Sequence, residues 1–242
     1  MKVTAYTDIG CRHETNQDCY KAGRLSDDTY WVVLCDGMGG VAAGGEASII
    51  AVNYLEEAIC ESLLDIVSLN DIKDFMIDTI KRCNNVVYTL SRDKDDKITM
   101  GTTVVMAIVR NGLAQIVHAG DSRAYHITKK VIKQITHDHS VVQNLLDSKK
   151  ITEQQARNHP NKNIITSAIG VEATIMLDFN EVKLRKGEML LICTDGLSNM
   201  VSDEDIHEMV KTSDFYKSAE TLVKRAVSEG GFDNITAVVL CE

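Results

Sequence analysis

The chain has 242 residues, 44% of them apolar, with a single proline and no Ser/Gly-rich stretch, which bounds it to one compact domain without a marked linker. Its formal net charge of −9 excludes a general role on nucleic acid or anionic membranes, both of which select basic patches. The longest apolar runs are strand-sized, and the opening MKVTAYTDIG lacks the zones of a signal peptide, so neither a membrane span nor secretion is expected and the cytosol is the expected compartment.

In chain order, Val3 to Thr7, Asp18 to Lys21 and Thr29 to Cys35 read as short strands, and the run Trp31 to Leu34, apolar on both faces, predicts a central one. Gly45 to Leu64 and Ile72 to Leu90 carry apolar residues at three- and four-residue spacing, as in amphipathic helices. Four strands are predicted next, Thr103 to Val109, Leu113 to Ala119, Ala124 to Ile127 and Val131 to Ile135, with Asn111-Gly112 as a two-residue hairpin signal. A helical and polar stretch from Ser140 to Asn161 follows. Strands are then expected at Thr174 to Val182 and Met189 to Cys193, helices at Asp203 to Lys211 and Ser218 to Ser228, and a last strand at Ile235 to Leu240. Grouped strands and grouped helices favour an α+β sandwich over a doubly wound parallel sheet.

Seven cysteines show no CxxC spacing and read as free thiols. Cys35, Cys193 and Cys241 lie in or at the end of apolar runs and are read as small core residues. No cysteine is assigned to catalysis.

Four aspartates share one context, each at the end or start of a strongly apolar strand: Asp36 after WVVLC, Asp121 after IVHAG, Asp195 after LLICT and Asp233 before NITAVVL. One Asp-Gly at a strand end is ordinarily a turn. Four that converge would repel one another and lose hydration, which is tolerable chiefly when bound cations neutralise them. An all-oxygen donor set suits Mg²⁺ or Mn²⁺; the His- or Cys-rich spacing of zinc sites is absent, and the acids are too far apart for an EF-hand loop. Two such ions can share and acidify a water and hold both oxygens of an in-line phosphoryl displacement, which predicts hydrolysis without a nucleophilic side chain.

The strings GCRHETNQD, CDGMGG, MGTT, HAGDSRAY, THDHS, CTDGLS and GFDNITAVV, spread over residues 10 to 239, occur in the order of the metal-dependent protein phosphatases of the 2C type, and the chain resembles a bacterial member. The resemblance implies a four-layer α-β-β-α sandwich of two mainly antiparallel sheets flanked by helices. It implies one catalytic domain over residues 1–242 with a flap at about 137–165. It also implies a protein serine/threonine phosphatase that uses two catalytic Mn²⁺ or Mg²⁺ ions, with a third, weaker ion in some bacterial relatives.

By the same resemblance Asp36 would bridge the two metals, with the Gly37 carbonyl on the first. Asp195 and Asp233 would hold the second, Asp18 would act on the first through water, and Asp121, helped by Asp195, would hold the third. Asn234 would orient Asp233, and Thr102 and Thr103 would support the site. Relatives commonly carry an arginine three residues before the motif asparagine to grip the phosphate, where this chain has His13 beside Arg12. Arg12 is the better physical candidate, because guanidinium is permanently charged and bidentate. Met38 stands where many eukaryotic relatives have a histidine proposed as general acid. His118, His137, His139 and His159 are read as structural or flap residues.

From Asp121 to Lys162 eight basic residues (Arg123, Lys129, Lys130, Lys133, Lys149, Lys150, Arg157, Lys162) outnumber four acids (Asp121, Asp138, Asp147, Glu153), a balance suited to steering an anionic substrate. The expected partners are phosphorylated proteins, a cognate Ser/Thr kinase among them, met by a monomer that binds neither nucleic acid nor membrane. Three other readings compete. A pseudophosphatase that binds phosphoproteins would have lost Asp36, Asp195 or Asp233; a metal-dependent nuclease would carry an aromatic, basic face; and the branch acting on sporulation or stress regulators fits the GDSR and flap strings less well.

Overall fold

The computed structural model describes residues 1–39, 43–92 and 100–242. In chain order these form β1 (Lys2–Asp8), β2 (Asp18–Arg24), β3 (Thr29–Met38), α1 (Ala43–Ser62), α2 (Leu69–Arg92), β4 (Gly101–Thr102), β5 (Val104–Arg110), β6 (Leu113–Ala119), β7 (Arg123–Ile127) and β8 (Ile132–Gln134). Then follow α3 (Val141–Asp147), α4 (Glu153–Arg157), β9 (Asp178–Lys183), β10 (Met189–Cys193), α5 (Asp195–Ser198), α6 (Asp203–Thr212), α7 (Phe215–Ser228) and β11 (Ile235–Cys241). Gly40, the last residue of the CDGMGG string, lies outside the described residues.

Every strand pairing is antiparallel among the described residues. One sheet has the order β1-β11-β10-β7-β8 and the other β2-β3-β5-β6-β9, with β4 added beside β3. Period-two alternation explains why β3 is apolar throughout. Val32 and Leu34 face the second sheet and meet Ile192, Val238 and Leu240, whereas Trp31, Val33 and Cys35 face α1 and α2. On the far side β10 and β11 present Leu191, Cys193, Ala237 and Val239 to Leu222, Val223 and Ala226 of α7 and to Ile206 and Val210 of α6. Three apolar cores thus separate four layers, helix, sheet, sheet, helix, as expected from the sequence.

Most elements form where the pattern places them. Asn111 and Gly112 both take positive φ, 51° and 74°, as a primed two-residue turn requires. The strand expected from Thr174 begins only at Asp178. The reason is its partner: β6 ends at Ala119, its last pairing with β9 is His118 to Asp178, and the chain turns away at Gly120. Ile175 and Leu177 pack on the helix-facing core without ladder partners. The 140–161 stretch folds as two short helices, α3 capped by Ser140 and α4 by a Thr152–Gln155 capping box.

Candidate active site

The two sheets bring their strand ends together at one mouth. Asp18 opens β2 and lies directly opposite Asp36 of β3. Asp195 follows β10, Asp233 precedes β11 and Asp121 follows β6. All five carboxylates are partly open to solvent, and Asp36 feels the negative charge of the other four.

Each is fixed by its surroundings. The backbone of Asp36 is clamped by the MGTT pair: its N–H donates to Thr103 Oγ1 at 3.0 Å, while its carbonyl accepts from Thr102 Oγ1 at 2.8 Å and from the Thr103 N–H at 2.9 Å. Thr103 is braced in turn by Ser122 at 2.8 Å. Asp18 spans the sheets, its Oδ2 accepting from Thr194 at 2.9 Å and Thr236 at 2.6 Å. Asn199 donates to Asp195 Oδ2 at 3.0 Å. Gly37 must be glycine on steric grounds, because a Cβ there would lie 2.3 Å from the Gly44 carbonyl oxygen where α1 abuts β3. Gly196 is equally constrained, its Cβ position lying 2.0 Å from the Asn234 carbonyl oxygen.

Asn234 holds the 9–17 loop through its side chain and the carboxylate beside it through its backbone. Its side-chain amide donates to Ile9 O and Thr15 O at 2.9 and 3.2 Å, and its Oδ1 accepts from the Gln17 N–H at 2.8 Å. Its backbone N–H donates to Asp233 Oδ1 at 2.8 Å, which orients that carboxylate. The tethered loop carries Arg12 and His13. His13 Nε2 lies 3.2 Å from Asp233 Oδ1, whereas the Arg12 guanidinium rests over the Phe232 ring at 5.3 Å.

The electrostatics of this cluster suit bound cations. Burial, reinforced by neighbouring carboxylates, pushes Asp18 up to about 7, Asp121 up to about 8 and Asp195 up to about 6, and raises Asp36 well above its ordinary value. Asp18 Oδ1 and Asp195 Oδ1 are buried without a hydrogen-bond partner. Orphaned, oxygen-only donors in a repelling cluster fit hard divalent cations.

A groove of about 1100 Å³ runs from Asp121 and Asp195 between α3 and the start of α6. It is lined by acids, among them Asp203, Glu204 and Asp205. Of the basic residues of the 121–162 sequence, the described side chains that line it are Arg123 and Lys162. Arg123 is held bidentately by Asp138 at 2.6 and 3.0 Å, and Lys129, Lys130, Lys149 and Lys150 are exposed outside it; Lys162 does line it. Sequence reasoning passed over Thr194 and Thr236, whose only signal was their position next to an apolar strand end, and Asn199, four residues after Asp195.

A model of the protein phosphatase 2C family matches residues 11–231. The chain is 35% identical over 241 residues to the serine/threonine phosphatase stp of Listeria monocytogenes serotype 4b, covering 99% of this chain and 95% of that one. It is 36% identical over 247 residues to the protein phosphatase PhpP of Streptococcus pneumoniae serotype 2, covering 99% and 97%. Among solved structures, the S. agalactiae serine/threonine phosphatase superposes with a TM-score of 0.94 at 34% identity, over 100% of this chain and 99% of that one. The catalytic domain of the serine/threonine protein phosphatase PstP, in complex with two manganese ions, superposes with a TM-score of 0.85 at 30% identity, over 98% and 96%. The aspartates at the converging strand ends, the four-layer fold and these similarities agree, and the chain belongs to the protein phosphatase 2C family.

Proposed function

We propose that the chain is a metal-dependent protein phosphatase that hydrolyses phosphoserine and phosphothreonine in other proteins. The observation that carries this reading is the convergence of five strand-end aspartates, two with orphaned buried oxygens, in a member of this family. Asp36 and the Gly37 carbonyl would hold one ion, with Asp18 nearby; Asp195 and Asp233 would hold a second, and Asp121 with Asp195 a weaker third. Divalent cations there, Mn²⁺ or Mg²⁺, supply Lewis acidity that activates water and neutralises the phosphoryl oxygens.

The chain's own groups supply position. Thr194 and Thr236 keep the Asp18 carboxylate aimed across the sheets, and Thr102 and Thr103 keep the Asp36 backbone from retreating. Arg12, swung off Phe232, would grip phosphate oxygens bidentately, while His13 stays against Asp233. Water adds to phosphorus as the bond to the serine or threonine oxygen breaks, and no side chain becomes phosphorylated. That fits the thiols: burial holds Cys35 well above its ordinary value and pushes Cys193 up to about 12, and Ser122 is tied to Thr103.

The substrates proposed are phosphorylated proteins, including the phosphorylated form of a cognate Ser/Thr kinase, met by a monomer in the cytoplasm. No described helix is long and apolar enough to cross a membrane. Residues 137–165 would act as the flap beside the groove. No observation favours a non-catalytic phosphoprotein-binding role. The reading is tested by incubating the protein and Mn²⁺ with a phosphothreonine peptide and, separately, with an oligonucleotide. Phosphate release from the peptide alone is expected; cleavage of the oligonucleotide with an intact phosphopeptide would overturn it.

A further inference from the structure

A second group of buried polar side chains, sharing no residue with the aspartate mouth, lies against the edge strand β9. His118 and His139 are 0% and 5% exposed and stack with ring centroids 4.8 Å apart and planes at 23°. His118 is on β6, paired in register with Asp178 at the start of β9. His139 stands at the head of the segment that continues into α3.

The hydrogen bonds fix the His118 tautomer. Nε2 lies 2.9 Å from the His137 carbonyl, which only accepts, so Nε2 carries the proton and Nδ1 keeps its lone pair. That Nδ1 has no hydrogen-bond partner, and neither has His139 Nε2. His139 Nε2 lies 3.3 Å from Asp178 Oδ2, without hydrogen-bond alignment. Donor atoms of the three residues all lie within 4.8 Å of one another. Burial lowers the pKa of His118, which keeps the ring in the neutral form a metal needs.

We propose that His118 Nδ1, His139 Nε2 and an Asp178 carboxylate oxygen form a second metal site, of the zinc type, separate from the aspartate centre. Two imidazoles and one carboxylate suit Zn²⁺ or Co²⁺ rather than Mg²⁺, and half-exposed Asp178 leaves an approach and a fourth position on the solvent side. The His118 Nε2–H bond to a backbone carbonyl is the outer contact that ligating histidines ordinarily make. Bonds of about 2.0–2.1 Å draw the donors to roughly 3.3 Å apart, so the side chains close inward on loading. In the structure His139 Nδ1 accepts from the Gly120 N–H at 3.4 Å, so loading shifts the ring's proton from Nε2 to Nδ1 and breaks that bond. The ion joins the edge of one sheet to the root of the 137–165 segment, so its occupancy stiffens the start of that segment.

The test is a Co²⁺ titration of the full chain in excess Mg²⁺, which keeps the aspartate centre filled, read by visible absorption. Four-coordinate, imidazole-ligated Co²⁺ absorbs far more strongly than six-coordinate, oxygen-ligated Co²⁺. One equivalent of strong absorption is expected, displaced by Zn²⁺, with affinity at least about tenfold weaker in His118→Gln and in Asp178→Asn. Asp178→Asn changes a half-exposed side chain, so it decides the matter where His118→Gln fails to fold. Weak six-coordinate absorption alone, or a strong band unchanged by Asp178→Asn, overturns the proposal.

Discussion

The raised carboxylates set what metal removal does to individual residues. Below about pH 4 each is protonated folded or unfolded and costs nothing. Between there and the folded values, about 7 for Asp18 and about 8 for Asp121, the native state keeps protons that the unfolded chain has released, so metal-free stability falls as pH rises. Asp18→Asn, which keeps an oxygen for Thr194 and Thr236, is therefore expected to raise the melting temperature of chelator-treated protein at pH 8 by on the order of 5 °C, with a smaller rise at pH 5. Scanning calorimetry at both pH values checks it; a lower melting temperature at pH 8 would contradict it. Arg12 and His13 divide differently. Arg12→Ala is expected to raise KM for a phosphopeptide about tenfold with a smaller change in kcat, because in the proposed mechanism Arg12 would grip the phosphate and hold no metal-binding carboxylate. His13→Ala should instead raise the Mn²⁺ concentration needed for half activity, because His13 stands against Asp233. Steady-state kinetics over peptide and metal concentrations separates the two.

At the scale of elements, the site depends on a loop tied to a strand end. Asn234 is 4% exposed and bonds Ile9, Thr15 and Gln17 through its side chain. Asn234→Ala would leave those backbone groups unpaired at a cost of roughly 2–3 kcal/mol, measurable by urea unfolding of metal-free protein. A change under 0.5 kcal/mol, on the order of a neutral surface substitution, would mean the loop is held otherwise. The sequence made the strand ends legible because apolar runs stop abruptly at Asp36, Asp121, Asp195 and Asp233. It did not reveal that Asn234 works through its amide on a distant loop, since nothing local links position 234 to position 9. The start of β9 was misread for a similar reason: Thr174 to Leu177 look like a strand, but β6 offers no partner beyond His118. His118, His139 and Asp178 left no spacing signal at all, being 21 and 39 residues apart; sheet register joins His118 to Asp178, and a backbone bond from the His139 N–H to Gly120 O brings in His139.

For the whole molecule, charge and fold act together. The order of strand and helix groups was enough to read the sandwich, because each sheet buries both faces and α1, α2, α6 and α7 each bury one. The groove's sign was not readable, because Arg123 is spent on Asp138 and the lysines at 129, 130, 149 and 150 stand outside the groove. With a net charge of −9 and an acidic groove, phosphopeptides with flanking Lys or Arg are expected to show several-fold higher kcat/KM than acidic ones at low salt, a gap that narrows with added salt. Competition between paired peptides at two ionic strengths checks this, and equal rates at low salt would contradict it. The central claim, that converging aspartates run phosphoester hydrolysis through bound cations, is tested most directly by phosphate release from a phosphothreonine peptide by chelator-stripped protein and its Asp195→Ala variant. Release that needs added Mn²⁺ or Mg²⁺ and falls at least about a hundredfold in the variant is predicted. Metal-independent release, or undiminished release by the variant, would contradict it.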